Sequence, residues 1–364
     1  MGQKKIYVAA TSQHVGKTTS TLGLLSAIRE RGLNVGYCKP VGQQFIDIGP
    51  SRADKDALLF ASSMDFELVP ELHSPVILGA GATTSFLDDP EHYPFRNRLL
   101  KASKILERDH DVVVYEGTGH PGVGSVVNLS NATVAKLLGA GVIMVVEAGI
   151  GNTIDRLTLN LALFQQVDVP IIGVIINKAR REKIDKIRHY VEPFLTNKGI
   201  RLLGILPYEE ELGLPVMATI CSAVNGRPLL HEDKLDNRVS EIIAGSLVDM
   251  EQIKRTNNQL LVVSHNRLGE AIKKLVNVAT FMNLEESPLS GIIVTGKGDI
   301  SPENQKYIDA FQLPVLQAQI DTYESVIKIS QIEVKINTRT PWKVKKAIDL
   351  FREHVDVSCI LDNC

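Results

Sequence analysis

Thr11-Ser12-Gln13-His14-Val15-Gly16-Lys17-Thr18-Thr19 is the stretch whose reading decides the fold. It follows the apolar run Ile6-Tyr7-Val8-Ala9-Ala10 and precedes a helix-like run from Thr19 to Ile28. A strand, a short loop and a helix opening with Gly-Lys-Thr form an anion cradle, because loop amides and the positive helix end converge on one spot. In such a cradle Lys17 reaches the β- and γ-phosphates of a nucleotide and the Thr18 hydroxyl ligates Mg²⁺. Gln13, His14, Val15, Gly16 and Thr19 complete the loop around the phosphates. Thr11 stands where the G-x-x-x-x-G-K-[ST] pattern has its first glycine, so the first turn must suit a residue with a Cβ. The competing reading, a chance Gly-Lys-Thr at a helix start, is opposed by the strand–loop–helix order around it.

Outward from the loop, the chain's totals set bounds. At 364 residues it is too long for one ordinary core, and about two domains are expected. Hydrophobic content of 44% and charged content of 23% are those of a globular protein. A net charge of -2 gives no footprint for nucleic acid or an anionic membrane. No apolar run approaches the roughly 20 residues of a membrane helix. Met1-Gly2-Gln3-Lys4-Lys5 leads into the first strand without an apolar signal segment, so a cytoplasmic location is expected. Cys38, Cys221, Cys359 and Cys364 show no metal-knuckle or C-x-x-C spacing and read as free thiols.

The first half alternates short apolar runs with longer amphipathic ones. Strands are predicted at 5–10, 35–40, 111–116, 142–147, 171–176 and 202–206, and helices at 18–31, 54–62, 93–108, 132–138, 153–166 and 181–198. Strands separated by helices mean a doubly wound, mostly parallel sheet covered on both faces, with ligands at the carboxyl ends of its strands. Near Pro207 the rhythm changes, and Glu209 to Pro215 reads as a charged boundary. A smaller α/β domain follows, with strands at 260–264, 290–295 and 314–318 and helices at 268–283, 302–310 and 342–354, while 222–226 and 238–247 stay ambiguous. The expected domains are 1–212, 213–354 and a tail at 355–364.

Four features fall at strand ends of the first domain. Lys39, after Tyr37-Cys38, points into the phosphate crevice or is a solvated surface lysine. Val112-Val113-Val114-Tyr115-Glu116 has the shape of a strand whose terminal carboxylate holds Mg²⁺ or its water. The glycine-rich loop Gly117-Thr118-Gly119-His120-Pro121-Gly122-Val123-Gly124-Ser125 lets backbone approach a ligand closely, or is simply a flexible turn. His120 within it is a ligand contact, a proton carrier or an exposed loop residue. Asn177, after Ile175-Ile176, can read a base edge with its adjacent donor and acceptor. Asp54 and Asp56 flank a helix start, where one caps the helix or reaches the metal.

Thr11…Val15-Gly16-Lys17-Thr18, Lys39-Pro40-Val41, Lys55-Asp56-Ala57-Leu58, Glu116-Gly117 and the late Asn177 together resemble dethiobiotin synthetase and its amide-forming and carboxylate-activating relatives. That family carries threonine at the first loop position, so Thr11 fits it. The resemblance spans about residues 4–212. It implies that Thr18, Asp56 and Glu116 share Mg²⁺, that Lys17 and Lys39 neutralise the transferred phosphate, and that Asn177 contacts the base of ATP. It also implies a homodimer across the nucleotide face.

A closer resemblance is to the N-terminal half of long bacterial phosphotransacetylases, where a small DRTGG domain follows the synthetase-like one. Leu260 to Arg267, Gly291 to Gly296, Leu313 to Leu316 and Asp321 to Glu324 match it, although His265-Asn266 precedes Arg267 where the naming Asp is expected. With the sequence ending at Cys364, acetyl transfer is not expected. Nor is glutamine-dependent amidation, since Cys221 lacks the Gly-rich turn of a glutaminase nucleophile. Ser12 in place of an early lysine argues against a partition-type ATPase. Two functions remain. One is an Mg-ATP-dependent synthetase phosphorylating a small carboxylate or carbamate, with Lys17 and Lys39 catalytic and Lys39, Gly117, Thr118, Gly119 and His120 around the substrate. The other is a nucleotide sensor whose DRTGG-like domain takes a metabolite effector or a partner.

Overall fold

The computed structural model describes residues 4–245, 258–281 and 286–364. The phosphate-loop strand Lys4–Ala10 lies inside a six-stranded sheet. Its strands run, edge to edge, Leu202–Pro207, Ile171–Ala179, Gly141–Glu147, Lys4–Ala10, Val112–Glu116 and Val35–Cys38. Every neighbouring pair is parallel. Val112 to Glu116 are buried without alternation, as expected of strands covered by helices on both faces. The chain passes from Lys4–Ala10 to the edge strand Val35–Cys38, returns to Val112–Glu116, then builds outward on the other side from Gly141–Glu147. That reversal opens a crevice at the carboxyl ends of Lys4–Ala10 and Val112–Glu116, where α/β sheets bind ligands.

The chain divides into two compact units. One holds the chain up to Glu209 and again from Ile336; the other spans Glu210 to Lys335. The second unit has its own five-stranded sheet, ordered Arg227–Leu230, Val315–Ala318, Leu289–Thr295, Gln259–Ser264 and Glu241–Ala244. The last four are mutually parallel. Arg227–Leu230 is antiparallel at the edge, a position that tolerates Pro228. Of the two ambiguous segments, 238–247 supplies the strand Glu241–Ala244, and its residues 246 and 247 lie outside the described residues. The segment 222–226 contains the last two residues of the helix Met217–Ala223 and the turn after it. The helix expected at 268–283 spans Leu268–Phe281, and its last two positions also lie outside the described residues.

The closing segment departs from the expected layout. The helix Pro341–His354 does not finish the second unit; it belongs to the first, against the phosphate-loop helix Lys17–Arg29. Gly23 makes this approach possible: a Cβ built there would lie 2.1 Å from Phe351 Cβ. Arg352 pairs with Glu30, and Gly204 bridges Val355. Val357–Asp362 is a helix that buries Val357, Ile360 and Leu361, where a tail was expected. The reason lies in the phosphate-loop helix. Leu22, Leu24, Leu25 and Ile28 are all buried, so the helix is apolar on more sides than the sheet can cover.

Truncating the ring that fills this contact should be costly. Phe351→Ala is expected to lower the stability of the first unit by about 3–5 kcal/mol. Urea unfolding followed by far-ultraviolet circular dichroism would show it as a lower midpoint with an unchanged slope; an unchanged midpoint contradicts the packing.

Candidate functional site

The crevice assembles side chains from four segments. Thr18, in the first turn of the phosphate-loop helix, donates its hydroxyl to Glu116 Oε1 at 3.1 Å. Lys39, just past the end of the strand Val35–Cys38, places Nζ 2.7 Å from Asp56 Oδ2 and 3.4 Å from the same Glu116 Oε1. Lys39 Nζ also donates to the Gly117 carbonyl at 3.3 Å, and Lys17 Nζ to the Gly119 carbonyl at 2.9 Å. Lys17, Thr18, Lys39, Asp56, Glu116, Gly117 and Gly119 thus meet in one place.

Lys39 is only 4% exposed and Glu116 1%. Burial works against the charge on Lys39, but Asp56 and Glu116 outweigh it and hold the lysine's pKa above its ordinary value. Burial also pushes Glu116 above the usual carboxylate range, opposed by Lys39 and Lys17 and by the Thr18 hydroxyl. Lys39 therefore stays an ammonium, beside a Glu116 carboxyl that burial holds above the usual range.

The structure separates the roles of the two aspartates. Asp54 caps the helix Lys55–Met64, with Oδ1 accepting from Asp56 N at 2.9 Å and Oδ2 from Gln43 N at 3.1 Å. Asp56 faces Lys39. In the glycine-rich loop, it is the carbonyls of Gly117 and Gly119 that face the lysines. The His120 ring is exposed and accepts from Gly122 N at 3.2 Å, within its own turn. Gln13 and His14 are exposed on the phosphate loop, while Val15 is buried.

Asn177 sits beside the phosphate loop, on a strand that runs two residues past it. Its Nδ2 donates to the Val15 carbonyl at 2.7 Å, and its Oδ1 accepts from Lys178 N at 2.8 Å. In this geometry it holds the loop. Gly16 answers it: φ is +108°, and a Cβ there would lie 1.9 Å from Asn177 Nδ2.

Two residues that sequence reasoning passed over shape the same place. Tyr37, stacked on Phe60 at 4.0 Å between centroids, donates to Glu116 Oε2 at 3.2 Å. Asn131 ties the glycine loop: Nδ2 donates to the carbonyls of Thr118 and His120 at 2.7 and 2.6 Å, and Oδ1 accepts from Thr118 N and Tyr7. A tyrosine in an apolar strand reads as core. The signals were Tyr37's place two residues before Lys39, and the Ser-Asn helix start after the glycine loop.

The residues present fit a nucleotide with a divalent ion. The phosphate-loop helix has no side-chain cap and no acid in its first turn, so its positive end favours an anion. Thr11 Oγ1, buried at the loop's entry, has no hydrogen-bond partner among the described residues. The oxygens of Thr18, Asp56 and Glu116 are the hard-donor kind that Mg²⁺ takes, with one or two carboxylates and the rest from phosphate and water. Among the described residues no group of three or more His, Cys, Asp or Glu is placed to hold a metal by itself.

Fold and crevice together are those of a P-loop NTPase domain, followed by a second α/β domain. A family model described as an AAA domain matches residues 4–216, and one described as a DRTGG domain matches residues 219–332. The first covers more than half of the chain, which therefore belongs to that AAA domain family. The phosphate acetyltransferase of Pseudomonas putida is 26% identical over 380 residues, covering 98% of this chain and 51% of the relative. A cobyric acid synthase of Pelotomaculum thermopropionicum is 26% identical over 242 residues, 60% of this chain and 45% of its own length. The chain thus spans about half the length of the curated relatives it matches. Among solved structures, the septum site-determining protein MinD of Pyrococcus horikoshii, complexed with Mg-ADP, covers 57% of this chain and 83% of its own at 19% identity, with a TM-score of 0.35. No helix among the described residues is long and apolar enough to cross a membrane.

The backbone that carries Lys39 rests on a buried histidine. Lys39 N donates to the His73 carbonyl at 2.8 Å, and the His73 ring accepts from Val69 N at 3.0 Å beside Phe66. Burial lowers the His73 pKa from 6.5 to about 4. Its contribution is whole above pH 6.5. It is lost as pH falls toward 4, because there the unfolded chain binds the proton more readily. Urea midpoints at pH 7 and pH 5 should fall in the native protein and fall less in His73→Gln. Equal pH dependence in the two proteins would remove His73 from the account.

Proposed function

We propose that the first unit binds Mg-ATP and transfers its terminal phosphoryl group to a small carboxylate or carbamate. The observation that carries this reading is the meeting of Thr18, Lys39 and Asp56 around Glu116 beside the phosphate loop. The fully buried Lys39 supports transfer chemistry beyond nucleotide binding alone. The divalent ion would supply charge neutralisation between phosphate oxygens. Thr18, Asp56 and Glu116 would hold it, with Tyr37 fixing the Glu116 carboxylate. Lys17 and Lys39, whose ammoniums donate to the Gly119 and Gly117 carbonyls, would neutralise charge that develops on the transferred group and the acceptor. Gly117 to His120 border the space left for the acceptor. The residues of the chain position and neutralise; no covalent enzyme intermediate is required.

A second reading, a nucleotide sensor, is favoured by one observation. The return segment that follows the second unit in sequence packs on the phosphate-loop helix itself. A state of the second unit that altered this packing would alter the loop, giving two ligands a shared element to bias.

Isothermal titration with Mg-ATP and a coupled assay of ADP release test both. Lys17→Ala should weaken binding or turnover by about a hundredfold. Glu116→Gln should retain nucleotide binding while losing its dependence on Mg²⁺. Unchanged Mg-dependent turnover in both variants rules out the synthetase reading. The sensor reading predicts tight binding with negligible turnover in the native protein across a panel of small carboxylic acids.

A further inference from the structure

The first unit contains a cavity of about 730 Å³ to which no crevice residue contributes. Lys17, Lys39, Asp56 and Glu116 are all absent from its lining. Its lining includes the aromatic Phe86, Tyr93 and Phe95 and the aliphatic Val127, Leu129 and Leu137. The three rings form one cluster: Phe86 stacks on Phe95 at 5.8 Å and 13°, and Tyr93 lies 5.4 Å from Phe95. It is a cleft partly open to solvent, bordered by the exposed Glu91, Arg96, Thr133 and Lys136. It falls within the few hundred to a thousand Å³ typical of small-molecule sites.

The polar residues at the cavity set the kind of ligand. Arg96, from the helix Phe95–Asp109, and Lys136, from Asn131–Leu138, both line it, against a single acid, Glu91. Lys136 Nζ donates to the Asp168 carbonyl at 3.2 Å, which steadies it at the rim without neutralising its charge. An apolar, ring-lined interior with a surplus of positive charge at its edge matches a flat apolar body carrying one anionic group. Arginine presents a fork that a carboxylate fits with two parallel bonds. Aromatic walls favour an aromatic or other planar hydrocarbon body through offset stacking.

We propose that this cavity is a second ligand site, taking a small aromatic carboxylate. The site is connected to the phosphate crevice by one rigid element. The helix Asn131–Leu138 contributes Thr133, Lys136 and Leu137 to the cavity, and its first residue, Asn131, clamps the glycine loop through Thr118 and His120. Leu129, in the wall, donates its amide to the Gly124 carbonyl of that loop at 3.0 Å. An occupant therefore rests against the segment that shapes the floor of the crevice. The site stands on its own lining and does not depend on nucleotide binding.

The full chain titrated with anilinonaphthalene sulfonate, a flat aromatic anion that fluoresces when desolvated, tests this directly. One saturable site is expected, competed by phenylpropionate. Thr133→Trp, which projects a large ring from an exposed lining position, should abolish it. Arg96→Ala combined with Lys136→Ala should weaken it about three- to tenfold, in line with rim charges of modest strength. Lys17→Ala should leave it unchanged, so loss of nucleotide binding and loss of this site are read separately. Circular dichroism and urea midpoints check the fold of each variant; if the tryptophan variant does not fold, the exposed charge pair carries the test. Dye binding that is not saturable, or equally strong in native protein and every folded variant, overturns the proposal.

Discussion

Everything at the crevice follows from one buried carboxyl group. Glu116 ends a strand whose four preceding residues are apolar and buried, so its carboxylate emerges inside the protein. An ionised carboxylate removed from water is tolerated only with partners in good geometry. Three groups provide them: the Lys39 ammonium, the Thr18 hydroxyl and the Tyr37 hydroxyl. They come from two parts of the chain: Tyr37 and Lys39 from the end of one strand, and Thr18 from the phosphate-loop helix. The sheet must bring the ends of Val35–Cys38, Val112–Glu116 and Lys4–Ala10 side by side for the charge to be compensated. The register does so, pairing Cys38 with Tyr115 and Val8 with Glu116. The sheet order and the site are one constraint seen twice.

The loops around that carboxyl group are fixed by two asparagines acting as struts. Asn131 holds the glycine loop by three backbone groups, and Asn177 holds the phosphate loop through Val15. An asparagine suits this use because one short side chain offers both donors and an acceptor. Two loops that would otherwise sample many conformations are set before a ligand arrives, so less ordering remains to oppose binding. The same bonds explain why the lysines face carbonyls. With Gly117 N donating to the Val8 carbonyl and Thr118 N to Asn131 Oδ1, the Gly117 and Gly119 carbonyls face Lys39 and Lys17.

The parts of this design that were legible in the sequence are the local ones. Gly16-Lys17-Thr18 after an apolar run, Lys39 and Glu116 at strand ends and Asp54 before a helix each carry their meaning within a few residues. Cross-chain pairings were not legible. Asn177 was recognisable as a strand-end amide, but its partner, Val15, is 162 positions away, and only the register of the sheet brings them together. Tyr37 was hidden because a tyrosine at an interior strand position looks the same whether its hydroxyl has a task or not. The helix Pro341–His354 was visible as an amphipathic stripe, yet a stripe states that an apolar partner is needed without naming it. The clue was in the phosphate-loop helix, too apolar to be covered by the sheet alone, with Gly23 at the point of closest approach.

That return has a consequence for how the second unit is carried. The unit is an insertion, leaving the first at Glu209 and coming back at Ile336. Insertions are tolerated where the two ends of the break lie near each other on a folded host. Here the host supplies the link itself. Glu209 pairs with Arg181 at the start of the preceding helical segment and, at 3.2 Å, with Lys346 of the returning helix. Its side chain is only 12% exposed, while Lys346 is 39% and Arg181 67% exposed, so the pairs stay partly screened by solvent and contribute modestly. The outgoing and returning segments are thus joined within the first unit, independently of the inserted one. The phosphate-loop helix completes its cover with residues that follow the second unit in the chain. The nucleotide unit therefore closes only after the second unit has been traversed, which makes the two inseparable in sequence even where their cores are distinct.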